Sequence, residues 1–448
     1  MNSKKFDVSL YYKIAPFRKT IKVDSDKSLS IRSFLIGSIS QKISTVKNVL
    51  ESDDVKSTIN VCKTLGVKIK KVGEKTYKIY GKGLGSFYIK KNSKLNFGNS
   101  GTLARLIIGI LSSTPNIDVY IQGDHSLNKR NMKKLFDLMS KFGASFFPKN
   151  KYSFPVKMIS SEFPIGINYK AGVSAQLKSA VILAGLNSYG VTNIEEKIRS
   201  RDHTENILMN NKKSIMIKNG KNKIINIFGK KELNNLNIDI SGDPSSAAFY
   251  TTLTLLNSNS TIKIKNVGLN PSRIGFYNIL RKQKANLKFK NVVKKNNEIS
   301  GDIYVKSCKL KPLKVSSKMY PSTTDEYLLL FLIAGLQNGV SIFKGISDLA
   351  NKESSRAQEM KKILSQIGIK SDLKKDEMKI YGKGMIDASD KKIFVKNLGD
   401  HRIAMCAFIL ASLTNAKANI KNFETVFTSS PSFLKTMKIL GAKFEIKK

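Results

Sequence analysis

The sequence predicts an α/β protein of two domains, built from six copies of one structural unit. The chain has 448 residues, which exceeds one ordinary domain and suits two domains of about 200 residues each. Its hydrophobic content of 41%, with 8% aromatic residues, is typical of a chain that folds around apolar cores. A pattern of helices and strands recurs every 70 residues, roughly, which is longer than the usual solenoid repeats. Because two domains are expected, the six copies divide equally, with three in each domain.

Each copy contains an apolar helix, an alternating strand, a second helix and a small-residue turn into another strand. The copies begin near Phe34, Leu106, Val181, Phe249, Leu328 and Ala404. In five copies the second helix ends in a recognisable turn, namely Leu65-Gly66-Val67, Phe142-Gly143-Ala144, Gln283-Lys284-Ala285, Ile367-Gly368-Ile369 and Leu440-Gly441-Ala442. Glycine after the last apolar turn predicts a left-handed C-cap. The third copy has Asn210-Asn211 at this place.

The chain is strongly basic, because 78 Lys and Arg residues oppose 33 Asp and Glu residues and give a formal net charge of +45. Such a charge attracts nucleic acid, an anionic membrane surface or small polyanionic substrates. The lysines are spread along the whole chain, without an arginine-rich arm or the aromatic pattern of an RNA-recognition motif. We interpret most of them as solvated surface and expect no nucleic-acid partner. A basic nucleic-acid-binding protein stays open as an alternative that rests on charge alone.

The cysteines and the apolar runs indicate neither a metal site nor a membrane segment. Cys62, Cys308 and Cys406 lie far apart and fit neither a disulfide framework nor zinc-ligand spacing. Residues 1–10 lack the apolar core of a signal peptide, and the longest apolar run, residues 328–334, is too short to span a bilayer. We therefore expect a soluble cytoplasmic protein with no metal and no membrane partner.

Polar motifs are spread over nearly the whole chain. The six main motifs are Asp26-Lys27-Ser28-Leu29-Ser30-Ile31-Arg32, Gly98-Asn99-Ser100-Gly101-Thr102 with Arg105, the loop from Gly123 to Arg130, Ser174-Ala175-Gln176 with Lys178, Lys352-Glu353-Ser354-Ser355-Arg356, and Gly399-Asp400-His401-Arg402-Ile403-Ala404-Met405. Shorter motifs are Ser200 to Glu205, Gly242 to Ala248 and Asp325-Glu326. In order and spacing, these motifs resemble the EPSP synthase family of 3-phosphoshikimate 1-carboxyvinyltransferases.

The resemblance implies the two-domain enolpyruvyl transferase fold, an inside-out α/β barrel with three βαβαββ repeats in each domain and the active site in the cleft. One domain would comprise residues 1–25 and 243–448, and the other residues 26–242. The implied reaction transfers the enolpyruvyl group of phosphoenolpyruvate to the 5-hydroxyl of shikimate 3-phosphate, in chorismate and aromatic amino acid biosynthesis. The implied enzyme is a monomer without a cofactor, and its partners are these two anionic substrates.

Such a reaction joins two substrates that each carry a phosphate and a carboxylate, so it requires fixed cations and anion-binding amides. It also requires a base for the attacking hydroxyl and an acid for the methylene of phosphoenolpyruvate. By resemblance, Asp325 accepts the hydroxyl proton, and Glu353 with Lys27 handles the methylene proton. Glu353 lies one residue after Lys352 and three before Arg356, so on a helix these three side chains crowd one side and their pKa values are coupled.

The resemblance also implies which residues bind each substrate. Those for shikimate 3-phosphate are Lys27, Ser28, Arg32, Ser174, Gln176, Arg201, Asp325 and Lys352. Those for phosphoenolpyruvate are Lys27, Gly101, Thr102, Arg130, Gln176, Arg356 and Arg402. His401 is expected to be structural.

Several of these residues also have ordinary structural explanations. Asp24, Ser25 and Asp26 are N-cap candidates for a helix that begins near Lys27, and such a helix start also favours anions. The glycine turn before the helix of residues 103–111 could be a plain helix cap. Arg201, beside Asp202 and Glu205, could form a local salt bridge.

The chain departs from the family pattern at four places. Leu106 stands where many members have proline, Ala175 where some have serine, Ser355 where the KESDR string has aspartate, and residues 428–431 lack a lysine that many members carry. The family inhibitor glyphosate occupies the phosphoenolpyruvate place against the Gly-Thr turn, and Gly101 is kept, so we predict sensitivity, with inhibition weakened by Leu106 and by the missing lysine. The nearest enzyme alternative is UDP-N-acetylglucosamine enolpyruvyl transferase, which uses a cysteine in the loop corresponding to residues 123–130. No cysteine occurs there.

Overall fold

The computed structural model describes residues 5–447, which divide into two compact units. The first unit comprises residues 5–24, 241–294 and 299–447, and the second comprises residues 25–240 and 295–298. Each unit contains three four-stranded sheets within the described residues. The six predicted α/β repeats are therefore confirmed, with three in each unit.

The chain begins with two strands of the first unit, β1 (Asp7–Leu10) and β2 (Arg18–Lys22). The helices of the second unit are α1 (Lys27–Ile39), α2 (Asp53–Thr64), α3 (Gly101–Ser112), α4 (His125–Asn128), α5 (Lys133–Ser140), α6 (Ala175–Leu186) and α7 (His203–Leu208). Its strands are β3 (Ile43–Lys47), β4 (Lys68–Gly73), β5 (Thr76–Tyr80), β6 (Ser93–Asn96), β7 (Asp118–Gln122), β8 (Ser145–Phe147), β9 (Val156–Ile159), β10 (Asn168–Ala171), β11 (Val191–Glu196), β12 (Ile215–Asn219), β13 (Lys223–Phe228) and β14 (Asn237–Asp239).

The remaining elements complete the first unit. Its helices are α8 (Pro244–Leu256), α9 (Gly275–Lys282), α10 (Tyr320–Thr323), α11 (Tyr327–Gly335), α12 (Arg356–Gln366), α13 (His401–Thr414) and α14 (Phe433–Ile439), with 3-10 turns at Ser317–Met319, Ser347–Asn351 and Phe423–Thr428. Its strands are β15 (Thr261–Gly268), β16 (Leu287–Lys295), β17 (Glu298–Lys306), β18 (Lys314–Val315), β19 (Asn338–Lys344), β20 (Lys370–Leu373), β21 (Glu377–Lys383), β22 (Lys392–Val395), β23 (Lys417–Ile420) and β24 (Phe444–Lys447).

All six sheets share one topology. In the sheet β6-β7-β9-β8, β6 is parallel to β7, because the crossover helix α3 joins them, and the hairpin strands β8 and β9 complete the sheet in antiparallel pairing. Two repeats exchange their first strands: β2 precedes α1 but pairs with β15, whereas β14 precedes α8 but pairs with β3. Strand β1 lies between β23 and β24, so the start of the chain completes the last repeat.

Helices occupy the centre of each unit. Every residue of α8, α11 and α13 is buried in the first unit, and most of α1, α3 and α6 is buried in the second. Other elements surround these helices on all sides, which explains why their sequences lack a polar face. The predicted apolar helices are these six, called the central helices below.

The predicted turns after the second helices are confirmed. Gly66, Gly143, Gly368 and Gly441 have φ values of +86°, +97°, +78° and +95°, and Lys284 adopts +56°. The left-handed conformation is accessible to glycine without a steric penalty, which explains the residue choice at four of the five turns. None of the helices within residues 5–447 combines the length and the apolar composition needed to cross a bilayer.

Candidate active site

Most of the predicted site residues lie at the starts of helices. The motifs that contain Lys27, Gly101, Gln176 and Arg402 each begin a central helix, and Asp325 lies two residues before α11 begins. Arg201 and Glu353 instead lie in the segments that lead into second helices, α7 and α12. The first amides of a helix have no intrahelical acceptor and carry a partial positive charge, so these positions favour anionic groups.

The start of α1 is capped by Asp26, whose Oδ1 accepts the backbone N–H of Leu29 at 2.8 Å. Of the three N-cap candidates, Asp26 is therefore the cap. Asp24 belongs to the first unit, where it accepts hydrogen bonds from Ser430 and Ser432. These serines lie in and just after the stretch where many family members carry a lysine.

Lys27, the first residue of α1, forms an ion pair with a largely buried carboxylate. Its Nζ lies 2.9 Å from Oδ2 of Asp54, and about a sixth of the Lys27 side chain is exposed. Ser28, the next residue, is half-buried, and its carbonyl accepts a hydrogen bond from Arg32 at 3.1 Å. The ammonium of Lys27 is thus held at a helix start where it can meet an anion.

Arg32 is buried within the second unit and is held by hydroxyl groups. Its Nε donates to Oγ1 of Thr204 at 2.8 Å, and its Nη2 donates to Oγ of Ser179 at 3.2 Å. The two hydroxyls also hydrogen-bond to each other at 2.8 Å. Three elements, α1, α6 and α7, therefore fix the direction of this guanidinium group.

The start of α3 brings two guanidinium groups to Gly101. Ser100 caps the helix by accepting the N–H of Leu103 at 3.2 Å. Arg105 donates to the carbonyl of Gly101 at 3.0 Å, and Arg130 donates to Oδ1 of Asn99 at 2.8 Å. Two predicted ligands, Gly101 and Arg130, are therefore brought together around one helix start.

Gln176 and Thr102 also lie together, since the Gln176 amide donates to the Thr102 hydroxyl at 3.0 Å. Gln176 is near the start of α6, which is capped by Ser174 through a 3.4 Å bond from the N–H of Leu177. The Ser174 hydroxyl thus has a structural role. Arg201, in the loop before α7, is partly buried.

In the first unit, Arg356 lies at the centre of an acidic cluster. Its Nε donates to Asp400 at 2.9 Å, its Nη2 donates to Glu353 at 2.7 Å, and its Nη1 lies 3.6 Å from Asp325. Ser354 donates to Asp400 at 2.9 Å. Burial alone lowers the pKa of Arg356, but the three carboxylates outweigh it and raise that pKa above its ordinary value. The guanidinium is therefore fully charged and partly neutralises the carboxylates of Asp325 and Glu353.

The predicted helical arrangement around Glu353 is wrong. Residues 352–355 are not helical, because the 3-10 turn ends at Asn351 and Lys352 has an extended backbone, and α12 begins only at Arg356. Glu353 still reaches Arg356 because the chain bends between them. Lys352 turns to another partner and forms a 2.7 Å ion pair with Asp348.

Arg402 completes the cluster at the start of α13. Its Nη1 donates to the carbonyl of Asp325 at 3.3 Å, and its Nε lies 3.7 Å from the Asp325 carboxylate. Asp400 caps α13 by accepting the N–H of Arg402 at 3.0 Å. His401 is buried at this helix start, which agrees with a structural role.

Sequence reasoning missed residues that hold the predicted ligands. Asp400 lies within the motif from Gly399 to Met405, but its contact with Arg356 joins parts of the chain that are 44 residues apart. Lys178 also lies in a quoted motif, and it forms ion pairs with Glu196 and Glu205. A buried lysine on an apolar helix was the available signal, since lysine is almost never fully buried unless it is paired.

A basic depression of about 560 Å³ lies on the sheet formed by β2, β15, β17 and β16, and it contains none of the predicted site residues. Lys263 and Lys290 lie over the Tyr304 ring there, with Nζ 4.9 and 5.0 Å from its centroid. The same stacking recurs elsewhere, as for Lys68 on Tyr80 at 5.0 Å. We interpret this depression as part of a generally lysine-rich surface. Within residues 5–447, no group of three or more His, Cys, Asp or Glu residues is arranged to hold a metal ion.

Comparison with known structures supports the fold. An EPSP synthase from Acinetobacter baumannii superposes with a TM-score of 0.84 at 31% identity and covers 99% of this chain and 100% of its own. The enolpyruvyl transferase NikO from Streptomyces tendae has a TM-score of 0.75 at 11% identity, covering 99% and 98%, and supports the fold alone. Together with the six α/β repeats, these matches assign the chain to the class of proteins with the enolpyruvyl transferase fold.

Sequence comparison then gives the family. The model of the EPSP synthase (3-phosphoshikimate 1-carboxyvinyltransferase) family matches residues 11–437. A 3-phosphoshikimate 1-carboxyvinyltransferase from Paramagnetospirillum magneticum is 33% identical, covering 96% of each chain. One from Petrotoga mobilis is 36% identical, covering 92% of this chain and 94% of its own. The chain belongs to the EPSP synthase family.

Proposed function

We propose that the chain transfers the enolpyruvyl group of phosphoenolpyruvate to the 5-hydroxyl of shikimate 3-phosphate, yielding 5-enolpyruvylshikimate 3-phosphate and phosphate. This step belongs to chorismate and aromatic amino acid biosynthesis. The observation that carries the proposal is the cluster around Arg356, where Asp325 and Glu353 share one buried guanidinium. That arrangement supplies two carboxylates and a fixed cation, which addition and elimination both require.

The proposed reaction has two steps. In the addition, the 5-hydroxyl oxygen bonds to the central carbon of phosphoenolpyruvate, the hydroxyl proton passes to Asp325, and the methylene carbon gains a proton through Glu353 and Lys27. In the elimination, the bond from that carbon to the phosphate oxygen breaks and the methyl group loses a proton, which restores the double bond. The same groups must therefore act as acid in one step and as base in the other.

We propose the binding roles that the family resemblance implies, and the local contacts support them. We assign phosphoenolpyruvate to Lys27, Gly101, Thr102, Arg130, Gln176, Arg356 and Arg402. We assign shikimate 3-phosphate to Lys27, Ser28, Arg32, Ser174, Gln176, Arg201, Asp325 and Lys352. The arginines among these residues suit anionic substrates, because the planar guanidinium group binds carboxylate and phosphate in a bidentate manner.

The remaining predictions about the chain are part of the same proposal. We infer that the two compact units are the two domains of three repeats expected from the sequence. We also infer that the enzyme acts as a monomer in the cytoplasm.

The UDP-N-acetylglucosamine alternative is disfavoured by the positions of the thiols. Cys62 and Cys406 are fully buried, and burial raises the pKa of Cys62 to about 12 and that of Cys406 above its ordinary value. A buried neutral thiol is a poor acid, base or nucleophile. Cys308 follows β17 in the first unit, far in sequence from residues 123–130.

Phosphate release tests the proposal. The purified chain is incubated with phosphoenolpyruvate, with or without shikimate 3-phosphate, and the product is identified by mass spectrometry. We expect phosphate only when shikimate 3-phosphate is present, and we expect the same rate after treatment with a chelator. Release with UDP-N-acetylglucosamine in its place would reject the assignment.

A further inference from the structure

The second unit contains a buried group of four charged residues, Lys178, Glu196, Glu205 and Lys223, called the buried ion cluster below. Lys178 Nζ lies 2.8 Å from Glu196 and 2.7 Å from Glu205, and Lys223 lies 3.2 Å from Glu205. Lys178, Glu196 and Glu205 are almost completely inaccessible to solvent. The cluster contains two basic and two acidic side chains, so it is formally neutral.

The ion pairs favour the charged forms of Lys178 and Glu205 despite their burial. Burial alone lowers the pKa of Lys178, but the carboxylates of Glu205 and Glu196 outweigh it and raise that pKa. Burial alone raises the pKa of Glu205, but Lys178 and Lys223 outweigh it and lower that pKa. Replacing buried ion pairs by apolar residues is often neutral or stabilising, so stability alone does not explain such a cluster.

One side of the cluster leads to Arg32. Ser179 follows Lys178 on α6, and Thr204 precedes Glu205 on α7. These two hydroxyls hold the guanidinium of Arg32 at 3.2 and 2.8 Å. The Lys178–Glu205 ion pair therefore ties α6 to α7 at the point where their neighbouring residues orient Arg32.

The other side leads to Arg201. Glu196 Oε1 accepts the backbone N–H of Ser200 at 2.8 Å and its hydroxyl at 2.7 Å, as well as the ammonium of Lys178. Ser200 directly precedes Arg201, so the same carboxylate fixes the loop that carries this arginine. Lys178 thus connects the supports of two residues proposed to bind the same substrate.

We infer that the buried ion cluster positions Arg32 and Arg201 for binding shikimate 3-phosphate, with Lys178 as the central positioning residue. The inference rests on the proposed function, because it takes shikimate 3-phosphate as the ligand of both arginines. None of the four residues needs to touch the substrate. Their directional contacts fix the helices and the loop, whereas apolar packing would leave these more freedom to shift.

The central test is Lys178→Met, which keeps an unbranched side chain of similar length but removes the charge. Shikimate 3-phosphate binding is measured by calorimetry on the full chain without phosphoenolpyruvate, after circular dichroism has verified folding. We expect the dissociation constant to rise at least tenfold. The KM for phosphoenolpyruvate, measured at saturating shikimate 3-phosphate, is expected to change less than threefold, because Gly101 and Arg130 are not held by the cluster.

Ser200→Ala covers the case in which Lys178→Met does not fold. It leaves the four charged side chains in place and removes only the hydroxyl contact with Glu196, so we expect the fold to survive. We expect binding of shikimate 3-phosphate to weaken about threefold or more. The control matched to Lys178→Met is Lys157→Met, which makes the same substitution at another lysine of the second unit. It breaks a 3.0 Å ion pair with Asp118, and Lys157 contacts no predicted ligand. Its binding of shikimate 3-phosphate should match that of the wild type.

Each outcome decides a specific claim. Folded Lys178→Met and Ser200→Ala variants that bind shikimate 3-phosphate like the wild type overturn the positioning role. Equal weakening for both substrates also overturns it, since that would indicate general loosening of the unit. If the wild type itself does not bind shikimate 3-phosphate, the proposed function fails first. Selective loss of shikimate 3-phosphate binding in both variants supports the inference.

Discussion

Gly101→Ala gives the sharpest test of the phosphoenolpyruvate site, because the structure determines what the added methyl group meets. A Cβ on Gly101 would lie 2.7 Å from Nη1 of Arg130 and 2.8 Å from Nη1 of Arg105. Favourable contacts between non-bonded heavy atoms need about 3.5 Å, so both guanidinium groups must retreat by about 0.7 to 0.8 Å. Both are flexible side-chain ends, so the fold should tolerate the change.

We expect Gly101→Ala to weaken ligand binding. A displaced Arg130 loses alignment with Asn99, which holds it at 2.8 Å, and with an anion at the start of α3. Losing one hydrogen bond to a charged group costs about 1.5 to 3 kcal/mol, which corresponds to roughly one to two orders of magnitude in affinity. We therefore expect a higher KM for phosphoenolpyruvate. Glyphosate, which we expect to compete with phosphoenolpyruvate, should have an inhibition constant raised by more than tenfold, or about 1.4 kcal/mol.

Steady-state phosphate release at saturating shikimate 3-phosphate, with phosphoenolpyruvate and glyphosate varied, measures both constants. Gly220→Ala is a suitable control, because its added Cβ would have only an ordinary contact, 3.6 Å from a backbone oxygen. Calorimetry with shikimate 3-phosphate should give nearly the same affinity for Gly101→Ala as for the wild type. If Gly101→Ala changed neither the KM for phosphoenolpyruvate nor glyphosate inhibition, Gly101 would not line the phosphoenolpyruvate pocket.

Three further predictions concern single charged residues. Glu353→Gln should lower kcat by about 10² to 10⁴ while leaving shikimate 3-phosphate affinity nearly intact; unchanged turnover would remove Glu353 from the mechanism. Lys27→Met should raise the KM for phosphoenolpyruvate more than it weakens shikimate 3-phosphate binding, and equal effects would contradict its role. The pKa of Glu205 is lowered from 4.5 in the folded state, so its ionised carboxylate stabilises the fold. This contribution to the free energy of unfolding is present above pH 4.5 and is lost as the pH falls through the lowered pKa. Glu205→Gln should flatten the acid dependence of unfolding by denaturant, and an unchanged slope would refute this.

Local patterns in the sequence were sufficient to predict the repeats. An apolar helix such as α11 has the same composition on every face, and the small-residue turns after the second helices mark where strands begin. The start of α1 near Lys27 was an equally local signal, and Asp26 was one of three N-cap candidates. Each of these features depends on residues only a few positions apart.

Features that depend on distant parts of the chain could not be predicted in this way. The helical placement of Glu353 failed because spacing alone cannot show where a 3-10 turn ends. The exchange of β2 and β14 between sheets follows from pairing across more than 190 residues, since Ile238 pairs with Val46. The bonds from Ser179 and Thr204 to Arg32 likewise require the folded unit.

The repeats also explain how one architecture supplies both binding and proton-transfer groups. In both units the central helices present their positive ends together with a polar motif, but the motifs differ in charge. In the second unit they offer cations and hydrogen-bonding groups, as at Lys27 and Gln176, which suit anionic ligands.

In the first unit the corresponding helix starts bring carboxylates together with arginines. Carboxylates beside anionic substrates would repel them, unless a cation offsets the charge. Arg356 supplies that cation to Asp325, Glu353 and Asp400 at once, and Arg402 adds a second guanidinium beside Asp325. The buried arginine thus lets Asp325 and Glu353, the proposed proton-transfer groups, lie where we propose that phosphate and carboxylate also bind. Removing Arg356 should therefore impair substrate binding and proton transfer together, whereas removing Glu353 alone should impair only the chemical step.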